Sequence, residues 1–271
     1  MTTTTLMPMG GALDERKDPT VLQEFLRRAG GKKARIVILP QASARRDTGK
    51  EYIELFKAFG AKEVVSFEFR KRSEAGTAEQ IKLIRKASGI FFSGGTQMRI
   101  AAAMGGTALE AEIHAAYHRG CIVGGTSAGA SILSKTMIAY GNGGPTPRER
   151  IIQFSAGLGF TDKFIFDQHF RQRDRLGRLI YAVSSHPGVI GVGIDEDTAA
   201  IVEDDARLTV AGSGAVTIVD GFQIADTDVA EIEHGGAVAV SNLLVHVLTH
   251  NSVFDGRTRK AALPKKKLLI D

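Results

Sequence analysis

A chain of 271 residues with 43% hydrophobic content can bury a full core, and 31 glycines without a single tryptophan exclude a coiled or fibrous build. The formal charge of +5 is spread out, apart from Lys265-Lys266-Lys267 and the stretch Arg171 to Arg178, which argues against nucleic acid as a partner. The lone Cys121 excludes an intramolecular disulfide, Met1 to Thr5 lacks the build of a signal peptide, and no apolar run reaches bilayer length, so a cytoplasmic protein without membrane contact is expected.

Through the first two thirds, short β-branched and aromatic runs alternate with amphipathic stretches, the pattern of βα units on a parallel sheet. Strands are predicted at Leu6-Gly10, Arg35-Pro40, Ala61-Phe69, Gly89-Ser93, Cys121-Gly125, Phe164-Asp167 and Gly188-Ile194. Between them, Thr20-Ala29, Thr48-Phe59, Ala78-Ala87, Leu109-His118, Ala128-Ser134 and Arg173-Val183 carry apolar residues at three- and four-residue steps and are predicted helices. Helices on both faces of a mostly parallel sheet make an α/β, three-layer αβα class. Past Ile194 the texture changes: Ala199-Glu203, Arg207-Val210, Ala215-Val219, Gln223-Ile224 and Leu243-Leu248 predict an antiparallel extension of the same sheet. No linker divides the chain, so residues 1–271 are expected to form one α/β domain, with 199–250 as its β-rich extension. Gly141-Asn142-Gly143-Gly144-Pro145 reads as a turn-rich insertion, either mobile or beside a site.

The segment from Cys121 to Ala130 is an apolar strand feeding Gly125-Thr126-Ser127-Ala128-Gly129 and then a helix. A serine on a strained strand-to-helix turn projects its oxygen above the sheet, and small neighbours permit the tight backbone. Ser127 is therefore the candidate nucleophile, and the Ala128 amide a candidate oxyanion donor. The same Gly-rich loop could instead cradle a phosphate, the reading of a non-catalytic, flavodoxin-like module. A second loop, Ser93-Gly94-Gly95-Thr96-Gln97, reaches the same sheet edge and offers the Gly95 amide and the Gln97 side chain.

Seven histidines compete for the role of base. His114 and His118 lie one helical turn apart with no further ligand to complete a metal site, and His234, His246 and His250 fall in the antiparallel tail. His169 follows the apolar strand Phe164-Asp167 at its carboxyl end, where α/β sites form. Asp195, Glu196 and Asp197 follow another strand, and the residues alone do not choose which of them orients the imidazole.

Taken in order, Gly10-Gly11-Ala12, Gly94-Gly95-Thr96-Gln97, Gly125-Thr126-Ser127-Ala128-Gly129, Asp167-Gln168-His169-Phe170 with Arg173, Arg175 and Arg178, and Gly193-Ile194-Asp195-Glu196 resemble the cyanophycinase family. The likeness runs from about Met9 to Phe254. It implies a fold like that of class I glutamine amidotransferases, with serine in place of cysteine at the elbow, and a Ser127, His169, Glu196 triad needing neither metal nor cofactor. It also implies a pocket lined by Gln97, Asp167, Gln168, Arg173, Arg175 and Arg178, and a homodimer. The family's substrate is cyanophycin, a poly-aspartate backbone with arginine on each side-chain carboxyl, cut to β-Asp-Arg dipeptides. An aspartyl dipeptidase acting on short β-aspartyl peptides is the nearest alternative. Arg99, two residues past Gln97, is left without a role.

Overall fold

The computed structural model describes residues 2–233 and 235–264, so His234 and Lys265-Lys266-Lys267 lie outside the described residues. In chain order the first half runs β1 (Thr5–Met9), α1 (Thr20–Arg28), β2 (Arg35–Leu39), α2 (Thr48–Ala58), β3 (Glu63–Ser66), α3 (Ala78–Lys86), β4 (Gly89–Phe92), α4 (Gln97–Met104), α5 (Ala108–His118) and β5 (Ile122–Thr126). The second half runs α6 (Ala128–Ser131), β6 (Thr136–Gly141), β7 (Ile152–Ala156), β8 (Phe164–Gln168), α7 (Leu176–Ser185), β9 (Ile190–Ile194), β10 (Thr198–Glu203), β11 (Arg207–Gly212), β12 (Val216–Asp220), β13 (Leu244–Leu248), β14 (Val253–Asp255) and β15 (Lys260–Ala262).

A nine-stranded sheet has the order β15-β14-β11-β10-β1-β5-β4-β2-β3. From β1 to β3 the pairing is parallel, and from β1 outward through β10, β11, β14 and β15 it is antiparallel. Successive side chains of a strand face opposite ways, and the parallel strands are apolar at both. Ile36, Ile38, Phe91 and Ile122 pack under α1 and α2 with Leu22, Phe25 and Phe56. Val37, Leu39, Phe92 and Val123 pack on the other face with Ile84, Ile100 and Ile113 of α3, α4 and α5. Three αβα layers result. Local capping agrees with this course: Thr77 accepts the Gln80 N–H at the start of α3, and Thr107 accepts that of Glu110 at the start of α5.

Three expectations are corrected. β8 and β9 do not join the large sheet; they pair in parallel and lie with β12 and β13 in a second sheet of order β13-β12-β9-β8. The stretch 199–250 is therefore shared between two sheets: β10 and β11 extend the first, while β12 and β13 build the second. After the short link between Ile194 and Thr198, β10 pairs antiparallel with β1, while β12 takes an edge of β9. Phe164, Phe166, Val192, Val216 and Ile218 fuse the second sheet to one face of the first through a shared apolar cluster. Gln223-Ile224 is a turn segment rather than a strand, and the hairpin β6-β7 has no counterpart among the predicted elements. No helix among the described residues is long and apolar enough to cross a membrane.

Candidate active site

Ser127 follows β5 at φ 54° and ψ −113°, a conformation that costs a non-glycine residue of order 1–3 kcal/mol and is held by its surroundings. Its N–H donates to the Met9 carbonyl at 3.0 Å. A Cβ on Gly125 would lie 2.5 Å from the Gly129 carbonyl oxygen, and one on Gly129 would lie 2.4 Å from that of Phe92, so both positions admit only glycine. Among the described residues, neither the Ala128 nor the Gly95 N–H has a protein acceptor. Both are free to serve an oxygen of a bound substrate.

The structure brings Ser127, His169 and Glu196 together. Ser127 Oγ donates to His169 Nε2 at 2.9 Å, and His169 Nδ1 donates to Glu196 Oε1 at 2.7 Å. The carboxylate on Nδ1 fixes the tautomer that leaves Nε2 as acceptor. Asp195 is buried and accepts the backbone N–H groups of Arg171 and Ala215; Asp197 accepts Asp14 N–H and Ser213 Oγ–H. Of the three acids, Glu196 alone reaches the imidazole, and its own N–H is held by Gln172 Oε1 at 3.1 Å. His169, at the end of β8, is pinned by its N–H to the Gly10 carbonyl at 2.7 Å. Gly11, at φ 100°, lies against the ring: a Cβ there would stand 2.3 Å from His169 Cε1. The Gly10-Gly11 pair thus seats the histidine.

Burial, then the cations Arg173 and Arg175, push the imidazole below its ordinary range, outweighing the opposing hydrogen bond to Glu196. Only the neutral imidazole can take a proton. Reactivity of Ser127 is therefore expected to persist into mildly acidic solution and to be lost as the pH falls through that depressed value. Arg173→Ala removes one of the depressing charges and should move this acidic limb to higher pH. The rate of serine-directed covalent labelling against pH reads the shift, and a limb that stays in place or moves down would refute it.

Among the expected pocket residues, Asp167, Arg175 and Arg178 are used internally. Asp167 is 1% exposed; its carboxylate accepts Arg178 Nε at 2.6 Å, Arg178 Nη2, Arg175 Nη1 at 3.4 Å and the Gln168 N–H at 2.9 Å. Arg175 Nη1 also donates to the Gln168 carbonyl and, at 2.8 Å, to Gln168 Oε1. Burial pushes the Arg175 guanidinium down to about 10. In this arrangement the acceptors of Asp167 are filled by its own neighbours, so Asp167, Arg175 and Arg178 form one buried, mutually bonded cluster next to His169 in the chain. Arg173 differs: it is exposed, and its guanidinium has no ion-pair partner among the described residues. Both Arg173 and Arg175 precede α7. Gln97 Nε2 donates to the Ile138 and Ala139 carbonyls of β6, which joins α4 to that hairpin. The insertion 141–145 packs on the arginine turn, with Gly144 N–H on the Asp174 carbonyl at 2.5 Å.

A cavity of about 320 Å³ opens beside Ser127, lined also by Gly11, Glu15, Arg45, Glu51 and Tyr52. The acidic and phenolic groups here were not singled out by sequence. They follow β1 and β2, whose carboxyl ends share the edge of Ser127, and that topological rule was the available signal. His114 Nε2 donates to the Leu158 carbonyl at 2.7 Å and the ring stacks on Phe160, a packing role.

The comparisons with known proteins make this αβα chain a serine-type peptidase. The chain belongs to peptidase family S51, which it matches over residues 6–210. It is 38% identical to the cyanophycinase of Synechococcus elongatus over 257 residues, 94% of this chain and 80% of that protein. To the cyanophycinase of Geminocystis herdmanii it is 36% identical over 258 residues, 94% of each. The solved structure of a peptidase from an acI-B1 Actinobacterium superposes with a TM-score of 0.65 at 22% identity, covering 93% of this chain and 96% of the other.

Proposed function

We propose that this chain hydrolyses cyanophycin to β-Asp-Arg dipeptides by acyl transfer through Ser127, His169 and Glu196. The observation that carries the reading is the hydrogen-bonded relay from Ser127 Oγ to His169 Nε2 at 2.9 Å and from His169 Nδ1 to Glu196 at 2.7 Å. His169 takes the serine proton as Oγ attacks the scissile carbonyl, and returns it to the leaving amine. The Ala128 and Gly95 amides hold the oxyanion, and water activated by the same imidazole then clears the acyl-enzyme. The substrate carries both carboxylates and guanidinium groups. Exposed Arg173 suits the former, and the cavity wall with Glu15 and Glu51 suits the latter.

Incubation with insoluble cyanophycin should release soluble material with the mass of the Asp-Arg dipeptide. A serine-directed inhibitor should label Ser127. Absence of soluble product, with labelling intact, would leave a serine peptidase of other substrate, such as the dipeptidase alternative; a label elsewhere would remove Ser127 from the mechanism.

A further inference from the structure

A second cavity, of about 390 Å³, lies on the same sheet edge but away from Ser127, lined by Gln41, Phe69, Arg70, Arg72 and Arg99. Its residues come from the segment after β2, the segment after β3 and the first turn of α4. In the sheet order β5-β4-β2-β3 that position is two to three strand spacings from the nucleophile, roughly 10–14 Å. An extended backbone covers about 3.3–3.6 Å per residue, so one polymer can touch both places across three or four residues.

The charges in this cavity are not balanced. Arg70 pairs with Glu68 and donates to the Ser43 carbonyl at 2.8 Å. Glu74 is taken by the N–H groups of Arg70 and Lys71. Arg72 bonds only the Gly105 carbonyl, and the Arg99 guanidinium has no partner among the described residues. Arg72 and Arg99 thus have no ion-pair partner among the described residues. Gln41 supplies the independent observation. It is 2% exposed, its Nε2 donates to the Phe67 carbonyl at 2.9 Å, and its Oε1 has no hydrogen-bond partner. The Phe67 bond fixes which end of the amide is which, so the orphan is an acceptor. A buried acceptor left unpaired costs about 1–3 kcal/mol, and a ligand that donates to it recovers that loss.

A fully ionised inorganic anion such as sulfate fits the arginines but not Gln41, because it brings no donor. An N-acylated amino acid fits both: its amide N–H and its carboxylate stand on one carbon. Each arginyl branch of cyanophycin presents this pair, the isopeptide N–H beside the arginine's own carboxylate. We propose that this cavity is a second, non-catalytic binding site for the N-acyl amino acid carboxylate of an arginyl branch, with Arg99 and Arg72 on the carboxylate and Gln41 Oε1 on the N–H. The choice of ligand rests on the cyanophycin reading, and the site would hold the polymer while Ser127 acts on another residue of it.

Arg99→Glu tests the site, since Arg99 is exposed and its change leaves the fold little affected. On cyanophycin the variant should raise KM at least tenfold, with the effect in KM rather than kcat; an unchanged KM overturns the proposal. A second arm is independent of turnover: calorimetry of N-acetyl-L-arginine binding to Ser127→Ala protein. Binding should weaken at least tenfold when the ligand is N-acetyl-L-argininamide and when Arg99→Glu is added. Equal binding with and without Arg99 overturns the site even if the polymer is cleaved. Wild-type protein that leaves cyanophycin intact refutes the parent reading, while the calorimetric arm still decides whether the cavity takes this ligand.

Discussion

His169→Ala should lower cyanophycin cleavage by roughly a million-fold and abolish labelling of Ser127 by serine-directed reagents. A serine hydroxyl is a poor nucleophile until a base removes its proton, and among the described residues no other side chain bonds Ser127 Oγ. Glu196→Gln should cost less, about 10⁴-fold, because an amide can hold the ring yet favours the wrong tautomer and cannot stabilise the imidazolium. The two variants are compared by single-turnover rates and by mass spectrometry of labelled protein. His169→Ala protein that still labels within tenfold of wild type would place the base elsewhere.

Asp167→Ala should be the most destabilising change near the site without touching the nucleophile. It leaves two buried guanidinium groups, those of Arg178 and Arg175, without their shared carboxylate. Breaking a buried pair from one side costs about 3–5 kcal/mol. For a chain of this size that corresponds to a fall in Tm of roughly 6–20 °C. Arg173→Ala, at an exposed and unpaired position, should stay within about 0.5 kcal/mol of wild type. Thermal and denaturant melts separate the cases. An Asp167→Ala protein that melts with wild type would show that the network contributes nothing net.

The contrast between those arginines marks where sequence reasoning stops. The parallel strands were legible because Ile36 to Leu39 and Gly89 to Phe92 are apolar on both faces, which only a covered sheet accommodates. The elbow was legible because its glycines have one steric purpose. The second sheet was not: the apolar run Phe164-Ile165-Phe166 and the stretch Ile190–Ile194 specify buried strands but not which strand lies beside them. The choice among Asp195, Glu196 and Asp197 needed the same missing information, since which carboxylate meets an imidazole depends on how two strands dock. Charge types in Arg173, Arg175 and Arg178 read alike in a sequence; burial against Asp167 distinguishes them, and Asp167 is reached only through the fold of the turn that precedes α7.

The division of labour between the two sheets bears on when the protein becomes reactive during its own synthesis. Strands β1 to β5, with the serine at their edge, are complete once residue 127 has been made, whereas the histidine and the glutamate arrive 42 and 69 residues later, just past the ends of β8 and β9. The joint between sheets is made by Gly10 and Gly11, whose carbonyls receive the N–H groups of His169 at 2.7 Å and Asp197 at 2.9 Å. A nascent chain therefore displays a nucleophile with no proton acceptor. Its capacity to cut peptide bonds waits until a late segment docks on two of the earliest residues to be translated.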